Sequence, residues 1–320
     1  MNSIVLTAML PVVGLIAAGF LLGRTRWLSP AAVRNLSQVA FTVLTPILLF
    51  RTMSTVHLEQ LDLRPAAAYI LVLVLVFGGT LWVRGLNRTA AVLALALTYS
   101  NAVMIGIPLV GLAWGDAGLV TLLTLIPVHS LLLLTSATVA LEFVLAHEQS
   151  AAALPGPREQ VAARMLRVSG RALAKALLHP VPLPILAGLL FAQTGWQVPP
   201  WLDLPMRWLG SAFGPLALGL VGITLAGATI GLHLRGALLL TAIKNLLVPA
   251  LAAWLGWVFG LHGLPLAVMV VTAALPIGAN VFLFSQRYGV AQDLVTAGVA
   301  VSTAMALVTV SAVMLLVGHV

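Results

Sequence analysis

Residues 11–30 read PVVGLIAAGFLLGRTRWLSP, and residues 180–199 read PVPLPILAGLLFAQTGWQVP. The two stretches are 169 residues apart and align without a gap, with identical residues at nine of their 20 positions. The matches include a proline at each end, an Ala-Gly pair and a tryptophan, which an apolar composition alone does not readily align. Further on, Pro46 aligns with Pro215. We therefore predict that the chain contains two copies of one unit.

The composition indicates that the chain is solvated by lipid. Of its 320 residues, 61% are hydrophobic and 8% are charged, whereas about 25% of a soluble domain is charged. Unbroken apolar runs such as 69–77 lack the alternation that a membrane β-barrel requires. The absence of cysteine excludes disulfides, thiol catalysis and cysteine-ligated metals. These features predict an all-α polytopic membrane protein.

Ten apolar segments have about the length that a membrane-spanning helix needs. Five segments separate equivalent positions of the two copies, and because five is odd, the second copy enters the membrane from the opposite face. The prediction is a five-plus-five inverted repeat, an arrangement typical of secondary transporters. It comprises a first repeat at 1–145, a cytoplasmic linker at 146–177 and a second repeat at 178–320. The segments are 4–23, 31–54, 65–84, 89–114, 118–145, 178–194, 206–226, 235–260, 263–286 and 293–317.

Basic residues orient these segments. With the N-terminus outside, twelve basic residues fall in cytoplasmic loops and three fall outside, as the positive-inside rule favours. Both termini are then predicted to face outside, and the net charge of +8 reflects topology and not a nucleic-acid partner. The first segment lacks a preceding basic residue, so we do not interpret it as a signal peptide. The cytoplasmic residues are Arg24, Arg26, Arg34, Arg84, Arg88, Arg158, Arg164, Arg167, Arg171, Lys175, Arg235 and Arg287, and the outer ones are Arg51, Arg64 and Arg207.

The linker at 146–177 allows two interpretations. Residues 155–157, Pro-Gly-Pro, break any helix there. The basic residues between 164 and 175 then recur at helical spacing among apolar ones. They indicate either a short basic helix lying on the anionic inner leaflet or a solvated linker whose charges set topology.

Two segments carry helix-breaking residues at their centres, and both are fourth in their repeat. Residues 99–108 read YSNAVMIGIP, and residues 275–280 read LPIGAN. Proline removes a helical donor, glycine permits unusual dihedrals, and asparagine can satisfy freed backbone groups. Half-helix N-termini at such breaks would present partial positive charge to an anion at the midplane; simple proline kinks are the alternative. The candidate binding residues are Ser100, Asn101, Gly106, Pro108, Pro276, Gly278 and Asn280.

A single lysine completes the candidate site. Lys244 lies in the middle of the segment 235–260, where a charge costs about 2.5–3.5 kcal/mol and indicates function by default. We expect it either to be a counter-ion for the substrate or to support the broken helices. His129 is expected to form a helix–helix hydrogen bond, with a proton relay as the alternative. The chain lacks a phosphate-binding GxxxxGK[ST] loop and an HExxH motif, so we expect neither an enzyme nor a cofactor or metal site.

Three motifs resemble the auxin efflux carrier family of membrane transporters. They are Asn101-x-x-x-x-Gly106-x-Pro108, Lys244-Asn245-Leu246-Leu247-Val248-Pro249, and Pro276-x-x-Ala279-x-x-x-x-Phe284-x-x-x-Tyr288-Gly289. The resemblance covers essentially the whole chain, and the short central loop is similar to that of the bacterial branch, the malonate or malate permeases.

The resemblance implies a fold of the sodium–proton antiporter or bile-acid symporter type in the bacterial inner membrane. Segments 1, 2, 6 and 7 would form a dimerising scaffold around a moving core of segments 3–5 and 8–10. Asn101 and Asn280 would contact an anionic substrate where segments four and nine cross. The third segment lacks the carboxylate that related auxin carriers place there, which argues against an acidic cation site.

Together these features predict a secondary transporter of a small organic anion that works by an elevator-like movement. Its partners would be the anion, membrane lipids and a second copy of the chain. A membrane-embedded sensor that binds a similar ligand is the alternative, and an intramembrane enzyme is a more distant one. The substrate stays open among a dicarboxylate, an auxin-like monocarboxylate and an amino-acid derivative.

Overall fold

The computed structural model describes residues 2–25, 27–57, 59, 61–152, 181–228 and 231–317, which form helices and no β-strand. Within this part, seven helical stretches are long and apolar enough to cross a membrane, and three apolar helices are shorter. The protein is thus an all-helical, multi-pass membrane protein. Its helices are α1 (Asn2–Thr25), α2 (Pro30–Met53), α3 (Arg64–Arg84), α4 (Arg88–Thr98), α5 (Ile107–Ala152), α6 (Pro182–Gln193), α7 (Pro200–Ala226), α8 (Leu234–Val258), α9 (Gly263–Ala274), α10 (Asn280–Tyr288) and α11 (Gln292–Val317).

The expected linker begins inside a helix. Helix α5 continues to Ala152, seven residues beyond the predicted end of the fifth segment. The remainder of the linker, with its predicted basic helix, lies outside the described residues.

A glycine divides the longest helical stretch into two. The stretch Ala102–Leu145 has 44 residues, which at 1.5 Å per residue is about 66 Å, twice the thickness of the hydrocarbon core. Gly115 within it adopts φ 59° and ψ −151°, outside the helical region, a conformation that glycine tolerates and other residues avoid. The helix axis therefore breaks between the segments predicted at 89–114 and 118–145.

Two further interruptions lie side by side. Helix α4 ends at Thr98 and a π-helical turn begins at Ala102, while α9 ends at Ala274 and α10 begins at Asn280. Their extended backbones form an antiparallel bridge between Ser100 and Ile277.

Two backbone hydrogen bonds join these interruptions. The Asn101 amide donates to the Pro276 carbonyl at 2.8 Å, and the Gly278 amide donates to the Tyr99 carbonyl at 2.9 Å. Each break thus satisfies backbone groups of the other, which an interrupted helix inside a membrane requires.

Helices α1, α2, α6 and α7 form one group, held by close backbone contacts at glycines. A Cβ atom on Gly19 of α1 would lie 2.1 Å from the Gly219 carbonyl oxygen of α7. A Cβ atom on Gly188 of α6 would lie 2.6 Å from the Phe50 carbonyl oxygen of α2. Small residues let membrane helices approach this closely.

Two hydrophobic clusters divide the interior. The first joins the four helices of this group to α5, which contributes Leu109 and Leu122, and to residues of α9 and α11 such as Val271 and Val310. The second lies among α3, α4, the later part of α5 and helices α8–α11, and includes Tyr69, Leu95 and Met269. The two crossing breaks lie between these clusters, and the candidate functional site forms beside them.

Candidate functional site

A cavity of about 340 Å³ opens beside the crossing breaks. The lining residues at the first break run from Tyr99 to Met104, and those at the second include Gly278, Ala279 and Asn280. The α5 residues His129 and Ser130 form one wall, and residues of α2 and α6 complete it. Its polar side chains belong to Tyr99, Ser100, Asn101, His129, Ser130 and Asn280, and its apolar lining includes Ala102, Ala279, Phe41, Val181 and Pro182.

Two helical N-termini border this cavity. The π-helical turn that leads into α5 begins at Ala102, and α10 begins at Asn280. The first amides of a helix have no acceptor within it and carry partial positive charge. Asn101, the N-cap of the first of these ends, makes no capping hydrogen bond with its side chain. The cavity is therefore suited to an anion that accepts hydrogen bonds.

Lys244 lies behind the crossing and does not line the cavity. It is fully buried on a π-helical turn of α8, Ile243–Leu247. Its ammonium group donates to the carbonyl oxygens of Ala273 at 2.6 Å and Leu275 at 2.7 Å, and to the hydroxyl of Ser100 at 2.9 Å. Each of the three ammonium protons thus has a hydrogen-bond acceptor. Because the C-terminal end of α9 carries partial negative charge, Lys244 neutralises it and supports the break.

His129 is neutral by its hydrogen bonding. Its Nε2 accepts from the backbone amide of Ser100 at 3.3 Å, so this nitrogen carries no proton. The proton is then on Nδ1, which donates to the hydroxyl of Tyr69 at 3.3 Å. The ring also lies against Tyr99, with centroids 4.6 Å apart. His129 therefore ties α5 to the first break, the role expected from sequence.

The Ser100 hydroxyl is left with its own proton to donate. It accepts from Lys244 at 2.9 Å, and its oxygen is 3.4 Å from the Tyr69 hydroxyl. Since Tyr69 already accepts from His129, its proton is available for Ser100. A hydroxyl has two acceptor positions and one proton, so with both acceptor positions filled the Ser100 proton can point to a ligand in the cavity.

A second chain of hydrogen bonds fixes Asn280. Its amide nitrogen donates one proton to the Tyr99 hydroxyl at 2.8 Å, so its second amide proton and its side-chain oxygen are left for other partners. The Tyr99 oxygen is 3.3 Å from the Ser130 hydroxyl. Tyr99 and Ser130 thus link α5 to the start of α10 across the cavity wall.

The other candidate residues shape the crossing. The carbonyl of Pro276 accepts the Asn101 amide. A Cβ atom on Gly278 would lie 2.7 Å from Cδ1 of Tyr99, so this glycine allows the two breaks to approach. A Cβ atom on Gly106 would lie 2.8 Å from Leu275, and Pro108 lies near Gly214 of α7.

Sequence reasoning singled out neither Tyr69 nor Tyr99 nor Ser130. The signal for Tyr69 was a polar hydroxyl at the start of a long apolar run. Asn245 is a further buried polar residue, and its amide donates to the Ser302 carbonyl at 3.1 Å. The Ser302 hydroxyl accepts the amide of Ile277, so α8 and α11 also hold the second break.

A comparison with known families decides the class of protein. The family described as "Membrane transport protein", the auxin efflux carrier family, matches residues 4–314. The chain belongs to this family. The resemblance seen in its three motifs is thereby confirmed, and the protein is a membrane transporter.

A curated relative of this transporter has a similar length. The protein named "Putative malonate transporter" of Rhizobium meliloti (strain 1021) is 28% identical over 324 residues. The match covers 96% of this chain and 94% of the relative. The likeness therefore extends over nearly the whole of both chains.

Proposed function

We propose that this protein is a secondary transporter of a small organic anion, which it binds in the cavity between the two crossing breaks. The observation that carries the proposal is the convergence of two helical N-termini, at Ala102 and Asn280, on one cavity. Their partial positive charges favour an anion. The Ser100 hydroxyl and the side chain of Asn101 supply hydrogen bonds to it.

Ten membrane-spanning segments arranged as two inverted repeats are consistent with the contacts between the helices. Gly19 meets Gly219, and Gly188 meets Phe50. The interval of the sequence repeat, 169 residues, relates the two contacts. It separates Gly19 from Gly188, and it separates Phe50 from Gly219. The same interval relates Trp27 to Trp196, which are 80% and 74% exposed. Exposed tryptophans are enriched at membrane interfaces, as inverted copies would place them on opposite faces.

An elevator-like movement is supported by the position of the cavity. In this proposal α1, α2, α6 and α7 are the scaffold, and the remaining helices are the moving core. The cavity lies between them, because Phe41 and Pro182 belong to the scaffold and Asn280 belongs to the core. A displacement of the core would carry the crossing breaks, and the anion with them, past the scaffold.

Ion pairs also follow this division. Arg51 and Asp203 join α2 to α7 within the scaffold at 2.6 Å, and Arg88 and Glu148 join α4 to α5 within the core at 2.9 Å. The face that α5 turns to the scaffold contributes apolar residues to the first cluster. A displacement along this boundary would therefore break neither of these two ion pairs.

The proposed setting is the inner membrane of a bacterium, with both termini outside and the scaffold surrounded by lipids or a second copy of the chain. The relative's name supports malonate, a dicarboxylate, as the substrate, and malate or an auxin-like carboxylate would suit the same site. No catalytic role is proposed.

Uptake into vesicles tests this function directly. Purified protein reconstituted into lipid vesicles should accumulate radiolabelled malonate faster than protein-free vesicles. A double variant, Asn101→Ala with Asn280→Ala, should lose this uptake while staying folded. Binding without flux would instead support the sensor, and a chemically altered substrate would indicate an enzyme.

A further inference from the structure

We propose that the cavity accepts carboxylic acids carrying one negative charge and rejects dianions, so that a dicarboxylic acid binds with one carboxyl protonated. The inference rests on the proposed function and specifies the charge of its substrate. It follows from the charges around the crossing, of which there are two kinds, side-chain charges and helix-end charges.

The buried side chains of the described residues contribute one formal charge. Lys244 is fully buried, and the buried polar and charged residues of this part include no Asp or Glu. His129 is also buried, but it is neutral because its Nε2 accepts the Ser100 amide. A protonated imidazole would present a second N–H donor to that amide. The formal charge at the crossing is therefore +1.

The helix ends contribute four partial charges of about half a unit each. Two C-terminal ends, after Thr98 and Ala274, meet at the crossing, and Lys244 donates to the carbonyl of Ala273 and to the hydroxyl just beyond Thr98. Together these ends carry about −1, which Lys244 offsets. The two N-terminal ends, at Ala102 and Asn280, remain and carry about +1.

One negative charge on the ligand neutralises the two N-terminal ends. A second negative charge would be removed from water without gaining a partner in the protein, and an unpaired buried charge is costly. A protonated or esterified carboxyl carries no such penalty, because the side-chain amides of Asn101 and Asn280 can satisfy it by hydrogen bonding. For a dicarboxylic acid, each turnover would then move the anion together with its remaining acidic proton.

Equilibrium binding of three compounds to the purified wild-type protein tests the inference. They are malonate, monomethyl malonate, which stays singly charged, and dimethyl malonate, which is neutral. Above the second ionisation of malonate, its Kd should rise about tenfold with each pH unit, as its singly charged fraction falls. The Kd of monomethyl malonate should stay constant over the same range, and this excludes a titration of the protein as the cause. Dimethyl malonate should bind at least tenfold more weakly than the monoester, a margin of about 1.4 kcal/mol.

A variant tests the charge assignment itself. Lys244→Gln removes the formal charge and keeps hydrogen-bond donors, so the preference for monomethyl malonate over dimethyl malonate should shrink. An unchanged preference would overturn the inference.

Two results would separate the inference from the proposed function. If malonate binds as tightly as monomethyl malonate at the highest pH, the dianion is accepted, and the inference is wrong although the anion site stands. If folded protein binds none of the three compounds, both the site and the inference are overturned.

Discussion

Lys244 donates a hydrogen bond of 2.9 Å to the hydroxyl of Ser100, across 144 residues of sequence. The bond connects a fully buried ammonium group to a serine that borders the cavity. Lys244 therefore acts on the cavity through Ser100 and through the helix end that it neutralises, without reaching a ligand itself. These contacts are those of a support for the broken helices, which is one of the two sequence interpretations of this lysine.

Removing the Ser100 hydroxyl should weaken anion binding. Ser100→Ala deletes a hydrogen bond to a charged group, worth about 1.5–3 kcal/mol, so the Kd of monomethyl malonate should rise roughly ten- to a hundredfold. Ser130→Ala is the matched control, because Ser130 also lines the cavity but receives no hydrogen bond from Lys244. Isothermal titration of both variants measures the difference. Equal losses in the two variants would contradict the special role of Ser100.

Removing the positive charge should impair both binding and stability. Lys244→Met leaves the carbonyls of Ala273 and Leu275 buried without their donor, and each unsatisfied group costs about 1–3 kcal/mol. Lys244→Gln retains donors, so its thermal unfolding temperature should fall less than that of Lys244→Met. Both variants should bind the monoester more weakly than wild type. Wild-type affinity in Lys244→Gln would show that the lysine charge does not act on the cavity.

A glycine pair on one helix tests the packing of α1 against α7. A Cβ atom at Gly19 would lie 2.1 Å from the Gly219 carbonyl, whereas a Cβ atom at Gly14 meets nothing within 4 Å. Gly19→Ala should therefore destabilise the protein by about 1–3 kcal/mol through overpacking. Gly14→Ala should be neutral or slightly stabilising, since alanine favours helix. Thermal unfolding in detergent compares the two, and a fall of similar size in both would argue against this contact.

The sequence repeat predicts an equivalent close contact between α6 and α2. Gly188→Ala places a Cβ atom 2.6 Å from the Phe50 carbonyl and should destabilise the protein to a degree similar to Gly19→Ala. A tolerated Gly188→Ala, measured in the same unfolding assay, would contradict the correspondence between the two pairs.

The orientation in the membrane can be read with single cysteines, because the natural chain has none. Leu86 and Gln197 are both exposed and lie in loops expected on opposite faces. A membrane-impermeant thiol reagent added to intact cells should label Gln197→Cys and leave Leu86→Cys unlabelled until the membrane is opened. The reverse pattern would place both termini inside.

The sequence alone determined the class of the fold and the position of the breaks. Hydrophobic segments of bilayer length and proline, glycine and asparagine at two segment centres are local properties, which a membrane forces into helices and interruptions. The interruptions lie at 99–101 and 275–279, within the stretches quoted from the sequence. The match at an interval of 169 residues likewise predicted which helices have counterparts.

Tertiary structure alone decided which polar atoms meet. Lys244, His129 and Tyr69 lie on three separate helices and Ser100 lies in the first break, and their hydrogen bonds arise only when the two breaks cross. The crossing also places Lys244 behind the cavity and Ser130 along its wall. Periodicity and composition report the environment of a residue along its own helix, whereas the partner of a buried donor is set by distances across the fold. The assignment of protons and charges at this site therefore required the structure.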